Sequence, residues 1–121
     1  MDFEIVKEAD YTRVKVLSEK LDTNNAPDLK SELVVTTGKG EKNIILDVSK
    51  CRYCDSSGLS AILVANRLCE DADGTFILTG LQPDVEQIIR ISMLHTVLRI
   101  TKTPEEAETL MNDKGDQLQN L

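Results

Sequence analysis

Three short apolar runs are spaced along the chain: "NIILDV" (43–48), "GTFILTG" (74–80) and "TVLRIT" (96–101). Between and after them lie stretches with helical periodicity. In "SSGLSAILVANRLCED" (56–71), Leu59, Ile62, Leu63, Asn66 and Cys69 recur at helical spacing. "LQPDVEQIIRISML" carries Pro83 near its start and predicts Val85, Ile88 and Ile89 as its inward side. "TPEEAETLMND" opens with Thr103, Pro104 and Glu106, a capping box with proline at the first helical position. Strands alternating with helices at this spacing call for right-handed crossovers and a mostly parallel sheet. "NIILDV" runs apolar without alternation, the pattern of a strand buried on both faces.

The opening differs. "FEIVKEADYTRVKVL" places Ile5 and Val6 in one run and Tyr11, Val14 and Val16 in the next, which predicts a hairpin turning at "EAD". "DTNNAPDLKSELVVTT" then reads as a helix capped by Asn24 or Asn25, with Pro27 in its first turn and Leu29, Leu33 and Val34 on one face. Gly38 and Gly40 end it. The expected order is ββαβαβαβα, a mixed but mostly parallel sheet flanked by helices: α/β, or α+β if the hairpin dominates. One domain is expected over 1–112 and a polar tail over 113–121, where "KGDQLQNL" carries little to pack.

Charge narrows the function classes. A net charge of −7 argues against nucleic-acid binding, which rests on Lys and Arg neutralising phosphates, and disfavours anionic membrane surfaces. No apolar stretch approaches the roughly 20 residues of a membrane span, so no direct membrane insertion is expected. "MDFEIVKEAD" lacks the basic start and apolar block of a signal peptide. With three cysteines, an odd number, these features predict a cytoplasmic protein.

The stretch that invites chemistry is "CDSSGLSAIL" (54–63), where Asp55, Ser56 and Ser57 precede Gly58 at a helix start. Asp55 or Ser56 would cap that helix, worth about 1 kcal/mol. The same position tolerates a phosphate, because free N–H groups and the helix dipole face it. A nucleophilic serine would need a base, and the one histidine, His95, lies in "SMLHTV" with no G-x-S-x-G elbow in the chain. Cys51 and Cys54 have C-x-x-C spacing, but Cys69 falls on an apolar helix face and nothing pairs it with His95 as finger ligands pair. Cys54 reads instead as a small packed hydrophobe. An aspartyl-phosphate receiver centred on Asp47 would need a magnesium site with two further acids after the first strand, and the opening hairpin supplies no such pair. No metal, cofactor or enzymatic activity is expected.

"LDVSKCRYCDSSGLSAILVA" strongly resembles the STAS domain of bacterial anti-sigma factor antagonists. "EKLDTNNAPDLKSEL" is similar to that family's G-x-L-D segment and following helix, and "GTFILTGLQPDVEQIIRISMLHTVLRITKTPEEA" to its second half, so the resemblance runs from about Phe3 to Met111. It implies a single STAS domain. It further implies a partner switch: the unmodified protein binds an anti-sigma factor that is also a serine kinase, ATP-dependent phosphorylation releases it, and a serine phosphatase resets it. The serine directly after the motif's aspartate, Ser56, would be the acceptor. Asp55, Ser57 and Gly58 would form its surroundings, with Ser57 supporting the helix start. Asp22 matches an acidic position near the phosphosite and is either a partner contact or a loop carboxylate; Asn25 is expected as a helix cap, and the resemblance implies a partner-binding surface of Asp22, Asn25, Asp55, Ser57 and Gly58. Two positions depart from the family: Glu19 (or Ser18) stands for the glycine before L-D, and Met93 for the glycine of "SGL". STAS domains also serve as binding subunits of membrane lipid- or anion-transport complexes, the alternative to the switch.

Overall fold

The computed structural model describes residues 2–119, with side chains through residue 112. Phe3–Lys7 (β1) and Thr12–Val16 (β2) pair antiparallel, with Ile5 opposite Val14. Ile44–Asp47 (β4), Phe76–Thr79 (β6) and Arg99–Thr101 (β7) extend the sheet in parallel, in the order β1-β2-β4-β6-β7. The helices are Ala26–Gly38 (α1), Ser56–Asp71 (α2), Pro83–Ile91 (α3) and Pro104–Gln119 (α4). This is the α/β architecture that the strand–helix alternation predicts. The tail expected over 113–121 falls in the last turns of α4 and beyond; its side chains and residues 120–121 lie outside the described residues.

The continuous apolar runs are explained by burial on both sides. From β4, Ile44 and Leu46 point into a core shared with Leu29 and Leu33 of α1, Ile62 and Ala65 of α2, and Val85 and Ile89 of α3. Ile45 points the other way and meets Ile77, Tyr11, Ala107 and Met111 under α4. Each such fully buried aliphatic side chain contributes about 1.5–3 kcal/mol relative to exposure.

Several local expectations shift. A pair of two-residue strands, Lys20–Leu21 (β3) and Tyr53–Cys54 (β5), forms a separate parallel ladder, too short to register as a period. On α1 the buried stripe is Ala26, Leu29, Leu33 and Thr36, and Val34, expected inward, is 54% exposed. The stripe follows i, i+3, i+7, i+10, and Val34 sits about 100° round from Leu33. On α2, Ile62 and Cys69 are buried and Leu59 packs on the core, whereas Leu63 is exposed and Asn66 donates to Glu70 Oε1 at 3.0 Å. The small Ala61 and Ala65 fill the inner face instead. Ile88 of α3 is only half-buried. The capping box of α4 is made on its Thr103 side, Glu106 N–H donating to Thr103 Oγ1 at 3.2 Å.

The strand expected over 96–101 begins only at Arg99, because Leu94–Thr96 winds into a 3-10 turn. The turn follows Met93, which has φ 62° and ψ 15°, the left-handed region. An L side chain there costs roughly 1–2 kcal/mol, and glycine adopts it freely. Met93 is 60% exposed, so little packing offsets that cost. Met93→Gly should therefore raise unfolding stability by about 0.5–1 kcal/mol, read as a higher urea midpoint at unchanged m-value.

Candidate functional site

The site lies beyond the carboxyl ends of β4 and β6, where α/β sheets present their functional loops. β4 ends at Asp47, whose Oδ1 accepts the Ser49 N–H at 2.9 Å, and Val48 N–H donates to Thr79 O at 3.0 Å. Gln82 Nε2 donates to Ser49 O at 2.7 Å, tying the loop to the start of α3. The loop then meets the 19–21 segment. Arg52 and Tyr53 N–H both donate to Glu19 O, at 2.7 and 3.1 Å, and Asp55 N–H donates to Leu21 O at 3.3 Å. The β3–β5 ladder thus sets Leu21 beside Cys54 and brings Asp22 to the mouth of α2.

At that mouth the question of the cap is settled. Asp55 is the N-cap, with extended φ −98° and ψ −172°, and its Oδ1 accepts Gly58 N–H at 3.0 Å. Ser56 is left as the first helical residue, with an exposed side chain, and Ser57 follows half-buried. Gly58 is buried for a steric reason. A Cβ there would lie 2.4 Å from the Leu21 carbonyl oxygen and 2.5 Å from Cys54 Sγ. Only glycine lets the first turn of α2 come this close to β3.

Asn25 stands at the N-cap position of α1, but its side chain makes no cap bond. It is buried and turned back into the preceding loop, with Oδ1 accepting Asp22 N–H at 2.9 Å and Nδ2 donating to Lys20 O at 2.8 Å. Two loop groups outcompete the helix terminus for this amide, so Asn25 pins the Asp22 loop rather than the helix. Asp22 is half-buried, and its Oδ1 accepts Asn24 N–H at 3.0 Å.

The thiols are packing groups. Cys51 and Cys54 lie beneath the site, with Cys51 Sγ donating to Tyr53 O at 3.0 Å. Burial raises the Cys51 thiol and pushes Cys54, with the Asp55 carboxylate adding to it, up to about 12; burial does the same to Cys69 on α2. His95 is half-buried in the 3-10 turn. Among the described residues no group of three or more His, Cys, Asp or Glu is placed to hold a metal ion. Tyr53, 49% exposed, and Arg52, beside Pro83 and Asp84, also flank Ser56 in sequence and extend the surface. Tyr53 could have been singled out as one of only two tyrosines, three residues before Ser56.

The family model for the STAS domain matches residues 5–107. The chain belongs to the STAS domain family. It is 29% identical over 83 residues to the Bordetella bronchiseptica protein BtrV, which carries the name anti-sigma factor antagonist, covering 69% of this chain and 72% of BtrV. A Thermotoga maritima crystal structure described as an anti-sigma factor antagonist superposes with TM-score 0.81 at 24% identity, covering 91% of this chain and 94% of that one. The phosphorylated form of the Bacillus cell fate determinant SpoIIAA superposes with TM-score 0.70 at 21% identity, covering 88% and 96%. These structures share the STAS fold. No helix among the described residues is long and apolar enough to cross a membrane.

Gly58→Ala should destabilise the protein by about 1–3 kcal/mol, since the Leu21 backbone carbonyl must move, and the loss should appear in chemical denaturation. The three thiols should resist alkylation at pH 8 in the folded protein and react rapidly in denaturant. The sign follows from the raised values: the neutral form is favoured in the fold, so its stabilisation persists below the ordinary thiol pKa and fades as pH climbs toward about 12.

Proposed function

We propose that this STAS protein is an anti-sigma factor antagonist, regulated by phosphorylation of Ser56. The observation that carries the reading is the division of labour at the start of α2. Asp55 caps the helix, so the Ser56 side chain is exposed and a phosphate on it breaks no bond the fold depends on. The names of the related proteins point the same way. The unmodified surface, with Asp22, Asp55, Ser57 and the exposed Tyr53 around Ser56, binds an anti-sigma factor with serine-kinase activity. Asn25 and Gly58 are buried and act by shaping that surface.

Phosphorylation changes charge without changing shape. A phosphoserine carries about −1.5 to −2 at neutral pH and stands next to the Asp55 carboxylate. The helix dipole returns about 0.3–1 kcal/mol, whereas desolvating an unpaired phosphate in an interface costs at least several. Even about 4 kcal/mol lowers affinity roughly a thousandfold. The complex separates, the domain stays folded, and a serine phosphatase restores it.

The test is affinity capture and titration against the cognate anti-sigma factor kinase. Wild type and Ser56→Ala should bind alike, and Ser56→Asp should bind at least about a hundredfold more weakly with an unchanged melting temperature. Incubation with kinase and ATP should add one phosphate to wild type and none to Ser56→Ala. Equal binding by all three proteins would reduce Ser56 to a helix residue and favour a binding-module role in a transport complex.

A further inference from the structure

β1 is an edge of the sheet, and its hydrogen-bonding pattern shows which groups it leaves free. Leu17 N–H donates to Asp2 O at 2.7 Å and Glu8 N–H to Tyr11 O at 2.8 Å. With Phe3 opposite Val16 and Lys7 opposite Thr12, the even-numbered residues bond to β2. The N–H and C=O groups of Phe3, Ile5 and Lys7 therefore point outward, away from the sheet. Their side chains share the α1 face, where Phe3 packs on the main core.

On that face a groove of about 560 Å³ runs between β1 and α1, lined by Asp2, Phe3, Ile5, Asp28, Ser31 and Glu32. Its floor is apolar, with Ile5 37% exposed, and its α1 wall carries the carboxylates of Asp28 and Glu32, which have no ion-pair partner among the described residues. One helical turn on from Glu32, the same wall continues with Val35, 52% exposed.

We infer that the β1–α1 groove is a second docking surface, which takes an extended basic segment of a partner protein as an added strand beside β1. The outward backbone groups of Phe3, Ile5 and Lys7 supply the ladder, as in strand addition to an open sheet edge. Alternate side chains of the incoming strand fall into the groove. Lys or Arg there lays its aliphatic stem on Ile5 and brings its cation to Asp28 and Glu32. A second copy of this chain is the wrong occupant. Pairing β1 with itself brings two Asp28–Glu32 walls together between molecules that each carry −7. The surface is built from β1 and α1, not from the start of α2, so its occupancy is independent of the state of Ser56.

The probe is an acetylated, amidated peptide of alternating valine and lysine, titrated into the full chain at low salt with amide chemical shifts as readout. Shifts should centre on Phe3, Ile5 and Lys7 and weaken with added salt. Asp28→Lys with Glu32→Lys, at exposed helix positions, should keep the fold and weaken binding roughly tenfold. Ile5→Pro removes an outward N–H without touching the β2 ladder and should also weaken it. Ser56→Asp should bind the peptide like wild type, which separates this surface from the proposed switch. Shifts centred elsewhere, an affinity indifferent to the Asp28 and Glu32 charges, or a peptide-free dimer by sedimentation would each overturn the inference.

Discussion

Burial of β4 and β6 on both faces organises the rest of the molecule. A strand apolar on both sides has no stable position at an edge or against solvent, so helices must cover it from above and below. α1, α2 and α3 cover one face and α4 the other. The crossovers that achieve this return the chain in the same direction each time, and all loops leaving β4 and β6 emerge at one end of the sheet. That end carries the Ser49–Asp55 loop and the start of α2, so the candidate surface is a consequence of how the core is closed.

The loop itself is held by backbone. Carbonyls of Glu19 and Leu21 accept from Arg52, Tyr53 and Asp55, and Gly58 permits the approach of α2 that makes this stitching possible. Such a design suits the proposed phosphorylation of Ser56, which would change the charge of this surface and keep its shape. The bonds that fix the loop involve main-chain groups, the Asp47 and Asp55 carboxylates, the Cys51 and Cys54 thiols and the Gln82 amide, and none involves the Ser56 hydroxyl. The buried neutral thiols of Cys51 and Cys54 fill the space beneath without adding a charge that would compete with a phosphate.

Much of the candidate site's local structure was legible in "CDSSG", because the preference for Asp and Ser at helix starts is local chemistry. Which of the two caps was not legible, since both side chains reach the same N–H groups until the backbone angles are known. Asn25 shows the opposite failure. Its residue type fits a cap, but the Asp22 N–H and the Lys20 carbonyl, three and five residues before it, offer its amide better partners. Met93 carried a signal in sequence, a bulky residue where the family resemblance calls for glycine, and the positive φ gives that signal its physical meaning.

What the sequence determined by itself was the order of the main-sheet strands and the helices, the covering of the central strands and the helix start at Ser56, because periodicity and capping act over a few neighbouring residues. Only the tertiary structure decided which face of α1 is buried, where the last strand begins and that residues 19–22 lie against the mouth of α2. It also decided that β1 leaves its outer edge open beside an acidic helix wall. These depend on contacts between segments tens of residues apart, whose geometry no local pattern encodes.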